Sequence, residues 1–203
     1  MMDIILIGGG GHCRSVASAA ESVGLHIAGV VERPGVQSDT LSYPVVGCDD
    51  DIAPLAAAGH SFIVTLGSIA DPSRRVALAA AVEAAGGHAA TVVAATAHVS
   101  THAAIEPGTV VLHHALVNAG ARVGRHCIIN SGAIVEHDCE VGDFTHVSTR
   151  ATVNGGCRIG ARCFIGSGTV LAHGVSIPDD TVIGAGSLVL HSIEKAGKYF
   201  GVI

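Results

Sequence analysis

Glu136-His137-Asp138 sets one imidazole between two carboxylates. Imidazole is the side chain best tuned to take a proton at neutral pH, so it suits an attacking amine or hydroxyl. A carboxylate beside it fixes the tautomer and steadies the imidazolium that forms. Glu136 and Asp138 could each do this, and residue type alone does not separate them. His146 follows in FTHVS and Asn130 precedes in NSGAIVEHD. The chemistry on offer is general-base catalysis of a group transfer. Against it stands the plainer reading that His137 is one solvated histidine among 13. His113, His114, His126 and His173 read that way, and Glu140 and Asp143 read as solvated corners. Zinc is not expected, because His137 and His146 fall at different places in the six-residue repeat described below.

A second cluster lies near the start, where DIILI runs into Gly8-Gly9-Gly10-Gly11-His12. A glycine turn between strand and helix invites a dinucleotide reading. The GxGxxG pattern fails at its last place, which is Cys13 counted from Gly8 and Arg14 counted from Gly9. Glu32 does stand where a ribose-binding acid would be expected. A redox cofactor is therefore disfavoured. The backbone donors of such a turn could still receive a nucleotide's phosphates at the helix N-terminus. His12 could contact that ligand, or simply cap the helix.

The elements that must position these residues come from an internal rhythm. From Val93 to Val189 every sixth residue is Val, Ile or Leu, and the residue four later is nearly always small. A period of six fits neither an amphipathic helix nor a plain strand. It fits short strands separated by regular corners, stacked as a parallel β-helix with an aliphatic interior. Cys127, Cys139, Cys157 and Cys163 all occupy the small position, which makes them buried packing residues rather than nucleophiles.

The first ninety residues read differently. Strands at 3–8, 26–31 and 61–67 alternate with helices at 13–24 and 71–86, which implies a small parallel α/β domain. The boundary with the coil falls near 87–93. The expected organisation is therefore 1–88, Rossmann-like, and 89–203, the β-helix.

Composition narrows the function. With 11 Lys and Arg against 17 Asp and Glu, net charge is −6, and nucleic-acid binding is disfavoured. Mean hydropathy is +0.53, yet no apolar run long enough to span a membrane escapes a charge or glycine break. The start has no basic n-region or cleavage site, so cytoplasm is the expected location. Six cysteines without a CxxC pair argue against both a disulfide framework and a zinc knuckle.

GGGGHC after a first strand, followed by a hexapeptide coil carrying NSGAIVEHDCEVGDFTHVS, resembles the bacterial sugar acetyltransferases with hexapeptide repeats. These are the nucleotide-aminosugar N-acetyltransferases of the UDP-N-acetylbacillosamine type and the related sialic acid O-acetyltransferases. The resemblance implies a left-handed coil with three hexads per turn, against the usual handedness of parallel crossovers. It implies acetyl-CoA as cosubstrate, no metal, and a homotrimer with acetyl-CoA between neighbouring coils. The implied acceptor is the 4-amino group of a UDP-linked aminodeoxy sugar, with O-acetylation of a sialic acid or a non-catalytic nucleotide-sugar module as alternatives. His137 matches the family's base, with Asp138 and Glu136 beside it. His146, Gly155, Ser167 and Ala185 match acetyl-CoA positions, with Gly155 offering an N–H to the thioester oxygen. Gly11, His12, Glu32, Arg33 and Asn130 match substrate positions. Where relatives carry an acidic pair to read the base, this chain has Glu32-Arg33 and then Pro34, which departs from uracil recognition. GKYFGVI likewise replaces a GVPA-like stretch and basic tail.

Overall fold

The computed structural model describes residues 3–36, 43–69 and 71–203. It divides into two compact units, Met1–Gly67 with Ser73–Ala95, and Ser68–Pro72 with Thr96–Ile203. Among the described residues no helix is long and apolar enough to cross a membrane.

In the first unit the apolar run DIILI forms β1 (Asp3–Ile7), buried from Ile4 onward, and the glycines release the chain into α1 (Gly11–Ser22). The unit continues through β2 (His26–Val31), β3 (Val45–Gly47), α2 (Ile52–Ala57), β4 (Ser61–Val64), α3 (Ser73–Ala84) and β5 (His88–Ala89). All pairings are parallel and the spatial order is β3-β2-β1-β4-β5. The third expected strand is shorter than its sequence suggests. It ends at Val64 because Arg75, itself 2% exposed, donates to the carbonyls of Val64 and Leu66 and holds the chain out of the ladder. Sequence reading missed β3 and α2. β3 is three residues long with an exposed start, and α2 has only Ile52 buried, so neither shows a clear period.

The second unit is a left-handed parallel β-helix whose two-residue strands build three sheets. Strands on each sheet pair with the strand 18 residues on, as Leu116–Val117 does with Ile134–Val135, so three hexads make one coil. The Leu116 face runs from His98–Val99 to Leu188–Val189. The Arg122 face runs from Ala104–Ile105 to Ser176–Ile177, and the His146 face includes Ile128–Ile129, His146–Val147, Phe164–Ile165 and Val182–Ile183. The aliphatic series points inward and is fully buried from Val111 to Val189. Each such side chain contributes about 1.5–3 kcal/mol relative to exposure. The hexad stops there. Lys198–Tyr199 pairs with Val182–Ile183 only 16 residues on, so Ile193 is buried but stands outside the coil register.

The small position has a second role. Its hydroxyl or thiol donates to the carbonyl 15 residues ahead in the next coil, as Thr145 Oγ1 does to Gly160 (2.8 Å), Cys139 Sγ to Asn154 (3.2 Å) and Cys157 Sγ to Ala172 (3.0 Å). Cys and Thr alternate there because both are small and both donate. A thiol that donates is protonated, and burial pushes Cys163 up to about 11. These cysteines are struts.

Corners fall at every sixth residue from Gly108 to Gly186, each with positive φ, and include His114, His126, Asp138, Phe144, Arg150, Arg162 and Asp180 besides glycines. Three expectations for solvated residues change here. His126 is 7% exposed and stacks on Phe144, with ring centroids 5.0 Å apart. Glu140 lies on a strand of the Arg122 face, 3.9 Å from Arg158. Asp143 is at a corner, where its Oδ1 accepts the Arg125 N–H at 2.8 Å.

Candidate active site

The corner between Ile134–Val135 and Glu140–Val141 carries the triplet. Asp138 takes the left-handed backbone there, φ 59°, a conformation that Asp tolerates better than most residues. Its Oδ2 lies 2.9 Å from His137 Nδ1. A carboxylate oxygen accepts, so Nδ1 carries the hydrogen and Nε2 holds the free lone pair. Glu136 points elsewhere. Its Oε2 accepts from Asn118 Nδ2 at 2.7 Å and from the His137 N–H at 3.3 Å. The orienting acid is Asp138. Its hydrogen bond is the main cause that holds the His137 imidazole above its ordinary pKa; desolvation opposes this, and the charges of Asp138 and Glu136 add to it.

Nε2 is directed over Gly155, one coil ahead. A Cβ at 155 would stand 2.5 Å from that nitrogen, so only glycine lets the ring lie there. Gly155 is buried, and among the described residues its N–H has no acceptor. The preceding Asn154 does not cap it, because Asn154 Nδ2 is turned to Leu171 O at 2.6 Å. By contrast Asn118 and Asn130 each cap the N–H that follows them, at 2.8 Å. A free lone pair and an unmet N–H thus face the same space. That pairing can deprotonate a nucleophile and receive a developing oxyanion. His173, one further coil along, brings its ring centroid to 6.3 Å from that of His137.

His146 and Asn130 are not beside His137 in one chain. His146 lies on its own face, 7% exposed, edge-on to Phe164. Its Nδ1 is 2.7 Å from Ser68 O, a carbonyl that can only accept, so this nitrogen also carries the hydrogen. Asn130 Oδ1 takes the Ser131 N–H, which leaves Nδ2 to donate to His146 Nε2 at 3.0 Å. Ser167 and Ala185 occupy the corners that follow the next two strands of this face, and Ser167 Oγ is 2.9 Å from Ser148 Oγ.

The glycine turn of the first unit borders an open pocket of about 440 Å³, lined by Gly9, Gly10, Gly11, Arg14, Glu32 and Arg33 among others. Gly10 is the helix cap, so His12 is not; it sits half-buried in the first turn. Glu32 braces the turn, with Oε2 on the Gly9 N–H at 2.6 Å and Oε1 on the Arg33 N–H at 2.8 Å. Sequence reading did not anticipate Asn118 or Asn154. The signal was present, since each lies 18 residues from a residue of interest, Glu136 and Ala172 respectively, once the coil length is known.

Residues 3–82 match the PglD N-terminal domain, and residues 156–191 match the bacterial transferase hexapeptide, six repeats. Comparison with curated proteins gives no significant match. Among solved structures, the acetyltransferase domain of PglB from Neisseria gonorrhoeae is 27% identical, with TM-score 0.90 over 99% of this chain and 97% of that one. The same domain has been solved with acetyl coenzyme A. PerB from Caulobacter crescentus, solved with CoA and GDP-perosamine, is 29% identical, with TM-score 0.91 over 99% of this chain and 95% of that one. WeeI from Acinetobacter baumannii, at 19% identity and TM-score 0.86 over 98% and 96% of the two chains, shares the fold.

Proposed function

This chain is an acetyltransferase of the bacterial hexapeptide-repeat sugar-modifying family, and we propose that it moves the acetyl group of acetyl-CoA to the 4-amino group of a nucleotide-linked aminodeoxy sugar. The observation that carries this reading is the bare Nε2 of His137, fixed by Asp138 and aimed over the unmet N–H of Gly155.

His137 Nε2 receives the proton that the amine sheds as its nitrogen adds to the thioester carbon. Asp138 holds the imidazole in the tautomer that can do so and steadies the resulting imidazolium. The Gly155 N–H receives the charge that builds on the carbonyl oxygen. The thiolate of CoA then leaves and is protonated by His137, which restores the base. Transfer is direct, since the coil thiols are protonated donors inside the wall.

The His146 set completes the site from a neighbouring copy, because it stands on a different face from the His137 corner. The Leu116 face supports such side-by-side packing. Its outward line of Leu116, Ile134, Val170 and Leu188 is apolar, with Val170 and Leu188 37% and 38% exposed. A homotrimer is the expected assembly, and sedimentation of the full chain checks it. The glycine-turn pocket receives the nucleotide sugar, with Gly11, His12, Glu32 and Arg33 at its wall and Asn130 near the acceptor.

The test is an acetyl-transfer assay over UDP-, GDP- and dTDP-linked 4-amino sugars, comparing wild type with His137→Ala. One panel member should be acetylated on nitrogen, and His137→Ala should lower turnover by about 10²–10⁴-fold. Near-normal turnover in the variant would remove His137 from the mechanism.

A further inference from the structure

The far end of the His146 face carries side chains that neither the core nor the chemistry above employs. Its outward positions, paired strand to strand, run His146, Phe164, Val182 and Lys198. Side chains alternate along a strand, so Phe200 shares the outward side with Lys198. Phe200 is 70% exposed, in a chain with 4 Phe and no Trp. The only two lysines of this chain, Lys195 and Lys198, lie in the same short stretch, although net charge is −6.

An exposed ring on a loose tail would mean little, but this segment is pinned. The Gly184 N–H donates to Tyr199 O and the Leu188 N–H to Gly201 O, both at 2.8 Å, and the Ile203 N–H donates to Leu188 O at 2.9 Å. The Gly201 N–H reaches Ser187 Oγ at 3.1 Å, and Tyr199 Oη donates to Lys195 O at 2.7 Å. The Phe200 ring is seated on Gly184, where any Cβ would come 2.3 Å from Cδ1. The result is a rigid aromatic platform, backed by glycine, open to solvent and flanked by cationic side chains. That combination suits a purine ring carrying phosphates.

Position gives the platform its meaning. Three strand steps of about 4.8 Å separate His146 from Lys198, roughly 14 Å along the face. That is the span of the extended pantetheine arm between the thioester of acetyl-CoA and its nucleotide. We propose that Phe200 and Lys198 form the subsite for the 3′-phosphoadenosine end of acetyl-CoA. Phe200 stacks on the adenine, and Lys198 faces the phosphates. This rests on the reading of the chain as an acetyl-CoA-dependent enzyme.

Calorimetric titration of the full chain with acetyl-CoA, and with acetyl-phosphopantetheine, which lacks the adenosine, tests both levels separately. Phe200→Ala should weaken acetyl-CoA about tenfold or more, as loss of one base stack does, while leaving acetyl-phosphopantetheine unchanged. Phe200→Tyr should retain the wild-type affinity. Lys198→Ala should weaken acetyl-CoA and flatten the dependence of its affinity on salt. Equal affinity of wild type and Phe200→Ala for acetyl-CoA overturns the subsite, as does an equal loss for both ligands. Absence of acetyl-CoA binding by the wild type overturns the acetyltransferase reading itself.

Discussion

His137 and His146 hold the same tautomer in opposite settings. Each gives its Nδ1 hydrogen to an oxygen, Asp138 Oδ2 in one case and Ser68 O in the other. His137 has a half-exposed side chain and leaves Nε2 bare over Gly155. His146 is 7% exposed, and its Nε2 is filled by the Asn130 amide. The partner differs too. A carboxylate raises the proton affinity of the ring, whereas a neutral carbonyl adds orientation without charge. What makes a histidine a base here is the vacancy at Nε2 and the charge behind Nδ1. Neither property belongs to the residue type.

The strongest way to break that contrast is to fill the vacancy. In Gly155→Ala the new Cβ falls 2.5 Å from Nε2, so the ring must swing aside. Misplacement of a catalytic group by about 1 Å costs on the order of 10²-fold, so turnover should fall by that factor or more. The φ of Gly155 is not in the left-handed region, so the fold should survive and thermal unfolding should move little. Near-wild-type turnover would show that the ring does not work from this position.

Asp138→Asn removes the charge behind Nδ1 while keeping a residue that accepts left-handed backbone. The imidazole pKa, now raised mainly by that hydrogen bond, should fall toward its ordinary value. Turnover should drop about tenfold or more, and the acid limb of its pH profile should move to lower pH, because the base stays unprotonated further down. The stability linked to the pair behaves in the matching sense. It is fully present below the ordinary imidazole pKa and is lost as pH rises through the raised one. Glu136→Gln, whose charge is the smallest contributor, should move the limb much less. A larger shift from Glu136→Gln than from Asp138→Asn would reverse the assignment.

Much of this was legible beforehand, and the exceptions have a common cause. The coil is legible because its core repeats in strict register, so Val135 or Ile159 announces its burial by position alone. His137 is legible as an imidazole between acids. The choice of Asp138 over Glu136 is not, because it depends on positive φ at 138 and on Asn118, which stacks 18 residues away and captures Glu136. His126 looked solvated for the same reason in reverse, since its cover is Phe144 one coil ahead. Contacts between coils are invisible until the number of hexads per turn is fixed. Periodicity alone did not supply that number; resemblance did, and the register of 18 agrees.

The opposite manipulation, emptying Nε2 of His146, should cost stability. Asn130→Ala strips the amide from a buried acceptor, which costs about 1–3 kcal/mol when no partner replaces it. Chemical denaturation should register that loss. The acid limb of the pH profile should stay where it is, because His146 lacks the carboxylate that raises His137. A shifted limb would mean that His146 shares the proton.

The smallest effect concerns a corner with the same backbone as Asp138 but only a surface ion pair to hold. Arg162, φ 57°, donates Nε to Asp180 Oδ1 at 2.7 Å and Nη2 to Asp179 Oδ2 at 3.1 Å. An exposed pair of this kind is worth about 0–1 kcal/mol. Left-handed backbone costs an L-residue about 1–2 kcal/mol, and glycine escapes that cost while gaining about 0.4–1 kcal/mol of unfolded-state freedom. Arg162→Ala loses the pair and keeps the strain, whereas Arg162→Gly loses both. The glycine variant should therefore be the more stable of the two by roughly 0.5–1 kcal/mol in urea unfolding. Turnover should be unchanged in both, since nothing at this corner faces His137. If alanine proves as stable as glycine, the corners carry no strain, and the left-handed backbone at Asp138 is no special provision for its carboxylate.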